Sequence, residues 1–227
     1  MRFDETYKLK NYDYKSNGKI LKADFNFEKP IQNYFLDDEI QYLSLIDSDI
    51  KTRLSSKQNT TNISGKYLIN KNEPLSFNLE NILGRELLKL KLDIEYSNPI
   101  AFNFINYLKP KDTIANIFVD LEKKKENIKI KKFNFSARND SISIEDLNLN
   151  KNKFLSFKEI LVKTSKNGKK NNDFKILYDK KISIKGTQFD ASNLPKLLNS
   201  KSKSNQFLNI NKEIEIDFAN IIAPLSE

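Results

Sequence analysis

The chain contains neither histidine nor cysteine, and this limits the chemistry that its side chains could perform. A thiol nucleophile, a zinc site with sulfur or imidazole ligands and the usual general base at neutral pH are all excluded. For catalysis by paired carboxylates the candidates are two clusters, Asp37 to Glu39 and Glu145 with Asp146. Polar residues flank both clusters, so we interpret them as solvated acidic turns. The sequence therefore predicts a protein that is not an enzyme.

The glycines argue against a phosphate-binding loop. All five stand alone in the sequence, whereas a loop that cradles phosphate needs several glycines close together. A metal site built from carboxylates would need spaced ligands around a glycine bend, and the sequence has no such loop. We therefore expect no metal and no cofactor.

The basic character of the chain does not by itself indicate nucleic-acid binding. The formal net charge is +9, but it comes from 35 lysines and only 4 arginines. Nucleic-acid interfaces favour arginine forks and stacked aromatic rings. The best candidate platform is Phe133 and Phe135 beside Lys129, Lys131 and Lys132, and no RNA-recognition motif accompanies it. We expect the two rings to face the core of an ordinary strand, and we predict no nucleic-acid partner.

Alternation of apolar and polar residues dominates the elements that would position any site. The clearest strand runs from Leu88 to Tyr96, and a second clean strand runs from Ala115 to Leu121. One apolar phase and one charged phase are typical of an antiparallel sheet with a single covered face. The uncharged phases of both strands are predicted to share one apolar surface, formed by Leu88, Leu90, Leu92, Ile94, Ala115, Ile117, Val119 and Leu121.

Six strands follow one another in the stretch 113–186, with turns too short for crossover helices, which favours antiparallel pairing. In two of them the apolar phase slips by one residue, between Ile130 and Phe133 and between Ile144 and Leu147. A β-bulge in each strand would return the apolar residues to one face. The sequence thus predicts an all-β, mainly antiparallel fold, a long, meandering and curled sheet that forms an apolar groove, with one or two short helices.

Two further local patterns concern the turns. The dipeptide Asn17-Gly18 favours a tight hairpin turn, so the chain is expected to open as a β-hairpin. The segment from Ile100 to Leu108 lies between two prolines and fits either a strand with a bulge or a helical turn. Both alternatives remain open for this segment.

The stretch from Lys181 to Leu198 combines a strand, a glycine, an aspartate and a leucine-faced helix. Gly186 is expected to close the strand, because glycine allows the backbone to turn freely. Asp190 is expected to cap a short helix over about residues 190–199 by accepting from its free N–H groups. The residues of this strand-helix motif are Gly186, Asp190, Ala191, Leu194, Leu197 and Leu198.

This motif, the preceding FNLENILGRELLKLKLDIEY and the final IEIDFANIIAPLSE resemble the large AsmA-like envelope proteins of Gram-negative bacteria, including the TamB and YhdP types. The resemblance implies that residues 1–227 form one β-rich segment of a longer periplasmic protein, anchored in the inner membrane by other parts. It also implies a non-enzymatic role in phospholipid transport between the inner and outer membranes and in outer-membrane biogenesis. Phospholipid would be the ligand, and membranes would be reached through parts outside this segment.

The residues alone support a similar but less specific function. Each methylene group removed from water contributes about 0.8 kcal/mol, so adjacent alternating strands could form a floor for acyl chains. The apolar surface of the two clean strands is then the candidate lipid-facing groove. A self-contained structural or adhesive module, with two sheets packed as a sandwich, would satisfy the same pattern. Neither an apolar run of about 18 residues nor a signal peptide is encoded in this segment.

Overall fold

The computed structural model describes residues 2–3, 5–7, 9–32, 39–70, 72–111, 113–195 and 212–223. Strands make up 76% of the structure and helical residues 3%, which confirms the all-β prediction. Of the helix predicted over about residues 190–199, residues 190–195 are described: Asp190 still belongs to a strand, and only residues 194–195 are helical. Leu197 and Leu198 lie outside the described residues. The same holds for Asp37 and Asp38 of the first acidic cluster.

Seventeen strands follow one another along the described parts of the chain. The first seven are β1 (Arg2–Phe3), β2 (Leu9–Asn11), β3 (Asp13–Ile31), β4 (Ile40–Ser55), β5 (Gln58–Ile69), β6 (Leu75–Gly84) and β7 (Leu87–Tyr96). An insertion then contains β8 (Ile100–Phe102), a 3₁₀ turn (Asn103–Ile105) and β9 (Tyr107–Lys109). The last eight are β10 (Ala115–Lys124), β11 (Asn127–Ala137), β12 (Asp140–Asn150), β13 (Lys153–Ser156), β14 (Glu159–Lys166), β15 (Lys169–Tyr178), β16 (Ile182–Asp190) and β17 (Ile214–Ile222).

Most of these strands form one 13-stranded sheet that is curled but not closed. Its order is β17-β16-β15-β14-β12-β11-β10-β7-β6-β5-β4-β3, with the short β13 beside β12. All neighbouring pairs are antiparallel except β16 and β17, which run parallel. The predicted meander is therefore confirmed. Within the described residues no second large sheet packs on it, as a sandwich would require.

Both predicted bulges are present, and they lie side by side. The β10–β11 register shifts after Asp120, so that Lys131 is the extra residue of β11. In β12 the extra residue is Asp146, which has a positive φ of 52°. As a result, the register pairs Ile130 with Leu147, and the apolar residues before and after the bulges share one face.

The predicted hairpin at Asn17-Gly18 is wrong. Both residues lie inside β3, where Asn17 is paired with Lys51 and Gly18 with Ile50 of β4. The long ladder between β3 and β4 supplies hydrogen bonds over almost the whole strand, and these outweigh the local preference of the dipeptide for a turn. β3 is an edge strand, so it also accommodates Pro30, which has no N–H to offer a further strand.

Gly186 does not close its strand either, because β16 continues from Ile182 to Asp190. The glycine has a different role. Next to it the β15–β16 register shifts, and a Cβ at position 186 would meet the Asp173 carbonyl oxygen at 2.3 Å and the Phe174 Cβ at 2.4 Å. Glycine is required here because the neighbouring backbone approaches too closely for any side chain.

We therefore expect Gly186→Ala to lower the free energy of unfolding by about 1–3 kcal/mol, since the clash involves backbone that cannot rotate away. Urea denaturation followed by circular dichroism would measure the change. Gly84→Ala is the matched control: a Cβ there meets nothing closer than 3.6 Å. Its effect should stay within about 0.5 kcal/mol. Equal stability of the two variants would contradict the close-approach explanation.

Residues 97–111 together with 113 and 114, which we call the plug, leave the sheet between β7 and β10 and fold back over one of its faces. The ring of Phe102 contacts Phe135 of β11 edge-on at 5.5 Å between centroids, and that of Tyr107 contacts it at 5.9 Å. Ile105 at the turn is fully buried. Both alternatives for residues 100–108 are partly correct, since a strand, a 3₁₀ turn and a strand succeed one another there.

The hydrophobic core lies between the plug and the sheet. It collects one or two residues from each strand that the plug crosses, together with the inward side chains of the plug itself. Its buried members are Tyr67, Ile69, Tyr96, Ile100, Phe102, Ile105, Tyr107, Ala115, Phe135, Ala137, Ile142, Val162 and Phe174.

Candidate functional site

The residues predicted to share an apolar surface lie on one face of the sheet. In the β7–β10 ladder, Leu90 is opposite Leu121, and Leu92 is opposite Val119. Directly opposite residues of an antiparallel pair project to the same side, so these rungs form a continuous row. Ile94, opposite Ile117, extends the row. We call this side of the sheet the apolar face.

The plug divides the apolar face into two halves. At the closed end, where the plug leaves β7 and returns to β10, Tyr96 lies opposite Ala115. Both are buried: Tyr96 is 6% exposed and Ala115 is 0% exposed. From Leu92 to the open end, where Leu88 is opposite Lys123, the row is only half-buried. The open half is therefore apolar surface that remains partly exposed to solvent.

This open half extends far beyond β7 and β10. The ladder registers place apolar residues of the neighbouring strands on the same face. These are Ile50, Leu54, Ile63, Leu79, Leu83, Ile128, Ile130, Phe133, Ile144, Leu147, Leu149, Ile176, Ile184 and Ile216. The exposed fraction of these side chains rises towards the margins of the open half, to 50% for Leu83 and 63% for Ile216. Asn59, Thr61 and Asn81 interrupt this face on β5 and β6. A large apolar patch of this kind is typical of a surface that binds an apolar partner.

The opposite face of the sheet is charged, and many of its charges are paired. Lys131 contacts Glu122 at 3.0 Å, and the hydrogen bond from this lysine holds the pKa of Glu122 below its ordinary value. Hydrogen bonds from Lys181 and Lys185 lower the pKa of Glu215 to about 2. The sheet is thus amphipathic, with a solvated outer face and an apolar inner face.

The residues first considered for chemistry are placed on this outer surface or in the core. Glu145 accepts a hydrogen bond from Lys158 at 2.8 Å, and Asp146 pairs with Lys129 at 2.8 Å. Phe135 is 1% exposed, so it lies beneath the plug and is not displayed beside the lysines. Among the described residues, no group of three or more acidic side chains could hold a metal ion. No helix in that part of the chain is long and apolar enough to cross a membrane.

Asp190 fastens the plug to the far side of the sheet. Its Oδ2 accepts from Asn106 Nδ2 at 2.8 Å and from Asn171 Nδ2 at 3.3 Å. Its Oδ1 accepts from the Ser192 backbone N–H at 3.1 Å, in the turn that precedes the helical residues 194–195. Burial would raise the pKa of Asp190, but the hydrogen bonds from Ser192, Asn106 and Asn171 outweigh it and hold that pKa below its ordinary value.

Asn172 continues this buried polar cluster. Its Nδ2 donates to the Ile105 carbonyl of the plug at 2.8 Å and to Thr164 Oγ1 at 2.9 Å, while its Oδ1 accepts from the Asp190 N–H at 2.9 Å. Ala191 and Leu194 of the strand-helix motif have backbone roles: the Ala191 N–H donates to the Ile222 carbonyl of β17, and the Leu194 N–H donates to the Ala191 carbonyl. The described residues of the motif therefore anchor the closed end.

Lys109 holds the base of the plug together. It is 0% exposed, and its Nζ donates to the backbone carbonyls of Ser97, Pro110 and Thr113 at 2.8, 3.0 and 2.6 Å. A buried ammonium group needs such partners to replace its hydration. No sequence signal distinguishes this lysine from the other lysines among the 35 in the chain. Its role is visible only in the structure, where the chain folds around it and three backbone carbonyls accept from its Nζ.

Basic side chains surround the open end. Lys123 lies on the apolar face itself, between Leu88 of β7 and Ile128 of β11. The acidic residues Glu86 and Glu126 of the turns are paired with lysines at 3.4 and 3.5 Å. These two partners are Lys125 and Lys151. Basic residues outnumber the acidic ones in the turns at this end, and the others are Lys57, Arg85, Lys124, Lys153, Lys158, Lys180 and Lys181.

The apolar face, the plug and the basic open end are the features on which a functional assignment can be based. The predicted AsmA-like relationship remains a prediction. A scan against protein-family models and searches of curated proteins and of solved structures found no significant match to this chain.

Proposed function

We propose that the open half of the apolar face binds the acyl chains of phospholipid. The observation that carries the proposal is the continuous apolar row on β7 and β10, which stays half-exposed although the same face is fully buried under the plug. Each methylene group that moves from water onto this face contributes about 0.8 kcal/mol, so even part of one acyl chain gives useful affinity.

The basic open end fits the headgroup of such a ligand. Lys123 projects from the apolar face where the row of leucines ends. A lysine is a compact charge on a flexible stem and can bind a phosphate group while its methylenes stay on apolar surface. Acyl chains on the face and a phosphate group near Lys123 would match an amphipathic ligand at both of its ends.

The segment is proposed to bind and carry phospholipid without transforming it. Glu145 and Asp146, which were first considered for catalysis, are engaged in ion pairs at the outer surface, and Asp190 fastens the plug. Together with the resemblance to AsmA-like proteins, this supports a segment of a periplasmic protein that takes part in lipid transport between the inner and outer membranes and in outer-membrane biogenesis.

Photo-crosslinking in cells tests the proposal on two neighbouring pairs of ladder positions. Leu92 and Val119 are opposite each other on the apolar face, and the adjacent Lys91 and Asp120 are opposite each other on the outer face. Photoreactive residues at positions 92 and 119 should yield lipid adducts by mass spectrometry. The same residues at positions 91 and 120 should not. Equal labelling on both faces, or no adduct at any position, would contradict lipid binding and leave a structural or adhesive module.

A further inference from the structure

Positive charge is concentrated at the open end of the sheet. The turns and strand ends there, which we call the basic rim, are residues 56–57, 85–86, 124–126, 151–153, 179–181 and 212–213. They contain nine basic and four acidic residues, an excess of five positive charges, whereas the whole chain has a net charge of +9. By contrast, two turns at the closed end, residues 138–139 and 167–168, contain a single charged residue, Arg138. More than half of the excess positive charge is therefore located at one edge of the sheet.

Five basic residues of the rim are exposed and make no side-chain hydrogen bond or salt bridge within the described residues. They are Lys57, Arg85, Lys124, Lys153 and Lys180. Backbone hydrogen bonds hold neighbouring turns of the rim side by side. The Lys125 N–H donates to the Glu86 carbonyl at 3.3 Å, and in the next pair of turns the Lys151 N–H donates to the Glu126 carbonyl at 3.1 Å. The five cations thus lie on a fixed edge and can contact a negatively charged surface without first breaking a salt bridge.

Aromatic rings lie just inside the rim, on the apolar face. Phe154 is opposite Leu149 of that face, and its ring contacts those of Phe157 and Tyr178 at 5.9 and 5.6 Å between centroids. Lys212 of the rim places its Nζ 3.9 Å from the centre of the Tyr178 ring. Tyrosine rings are enriched where the hydrocarbon of a membrane meets its headgroups, because they are apolar with one polar atom. From the rim inwards, cations are thus followed by aromatic rings and then by the apolar face.

Exposed leucines flank the cations of the rim. Leu83 is 50% exposed and precedes Arg85 by two residues, and Leu155 is 52% exposed and follows Lys153 by two residues. Basic and apolar side chains side by side are typical of surfaces that lie in the interface of an anionic bilayer. A nucleic-acid surface would favour arginines and rings that are open for stacking, whereas the rim has one arginine and its three rings pack on one another.

We propose that the basic rim docks on the surface of a membrane that contains anionic phospholipid, so that the sheet stands on its open end. The lysines would contact headgroup phosphates, while Leu83 and Leu155 reach the boundary of the acyl chains. The open half of the apolar face would then open directly onto the bilayer. The inference goes beyond acyl-chain binding and does not require it, because the rim would bind the surface even if no lipid left the bilayer.

Sedimentation of the whole chain with lipid vesicles tests the proposal. Vesicles of phosphatidylglycerol and phosphatidylcholine in equal parts should bind the protein, and vesicles of phosphatidylcholine alone should bind it far more weakly. The combined variant Arg85→Gln, Lys153→Gln and Lys180→Gln should weaken binding to the anionic vesicles about 100-fold, because each basic residue near such a surface contributes about fivefold. No binding of the native chain to anionic vesicles would overturn the proposal.

The matched control removes three charges at the closed end, in the variant Arg138→Gln, Lys166→Gln and Lys169→Gln. The 10 residues of β10 separate the two ends by roughly 34 Å, which is several times the Debye length of about 10 Å at 0.1 M salt. This variant should therefore weaken vesicle binding less than about fivefold. Equal losses in the two variants would overturn docking by the rim. Displacement of the protein from the vesicles by polyuridylic acid of equal total charge would overturn it too, and would assign the rim to nucleic acid.

A fluorescent label tests the orientation on the membrane. The chain has no cysteine, so Leu155→Cys and Phe104→Cys each give a single site for an environment-sensitive dye. The two side chains are similarly exposed, at 52% and 49%, but Leu155 is at the open end and Phe104 is on the plug. Anionic vesicles should shift the emission of the dye at position 155 to the blue and leave that at position 104 unchanged. Equal shifts at both positions, or none at position 155, would overturn the proposal. Lipid adducts at positions 92 and 119 test acyl-chain binding separately, so either proposal can fail alone.

Discussion

Replacing Phe135 by alanine should lower the free energy of unfolding by about 3–5 kcal/mol. The ring is 1% exposed and is packed edge-on against Phe102 and Tyr107 of the plug. Its removal would leave a cavity between the plug and the sheet that neighbouring strands cannot fill without breaking their ladders. Single domains are stable by only about 5–15 kcal/mol, so the loss would be a large fraction of the total. Equilibrium unfolding in urea would measure it.

Leu161→Ala is the control for this experiment. Leu161 belongs to β14 and is 38% exposed. It precedes Val162, which is buried in the core, so its side chain projects to the outer face of the sheet. Its truncation should cost less than about 1 kcal/mol, since little of the side chain leaves a packed environment. Similar losses for the two variants would mean that the plug contributes no more to stability than the outer face does.

Asp190→Asn should be the second most disruptive change, at about 2–3 kcal/mol. An amide at this position would turn a donor towards the Asn106 and Asn171 amides that now donate to the carboxylate. The plug would lose its attachment at the far side of the sheet, so hydrogen exchange of the amides around Asn106 should accelerate more than that of β7. Asp173→Asn is the control, because Asp173 pairs with Lys170 at the surface. It should leave exchange in the plug unchanged.

The same carboxylate predicts a pH dependence. The pKa of Asp190 is lower in the folded protein than its ordinary value of 3.8, so the folded state binds a proton there less readily than the unfolded state. Its contribution to stability is therefore complete above the unfolded pKa and is lost as the pH falls through the folded pKa. Asp190→Asn should flatten this part of the stability profile. An unchanged acid profile in the variant would assign the acid sensitivity to other carboxylates.

The sequence allowed the strands and their faces to be predicted because alternation is a local signal. Even the bulges at Lys131 and Asp146 were predictable, since each displaces the apolar phase by one residue. The hairpin at Asn17-Gly18 failed because the dipeptide carries only a local preference, whereas the pairing with β4 is set by residues some 30 positions away.

The closed end was not predictable for a related reason. Its polar cluster joins Asn106 to Asp190 across 84 positions, and asparagine is so frequent in this chain that no single one attracts notice. The role of Gly186 depends on the backbone of β15, which its own neighbours in sequence do not reveal. The roles of these residues depend on contacts between segments far apart in the sequence, which hydrophobic periodicity does not reveal.

The position of the plug also determines how long the open half is along the direction of the strands. From Ile94, where the plug's cover ends, to Leu88 at the open end there are six residue-to-residue steps, and at about 3.4 Å per step they span roughly 20 Å. The hydrocarbon of a single leaflet is about 15 Å deep, half of a bilayer core of about 30 Å. An acyl chain lying parallel to the strands would thus fit with little to spare before meeting Phe102 and Tyr107. The plug would thus limit the length of acyl chain that the open half can cover. Chains much longer than those of ordinary membrane lipids would have to bend or leave their ends in water.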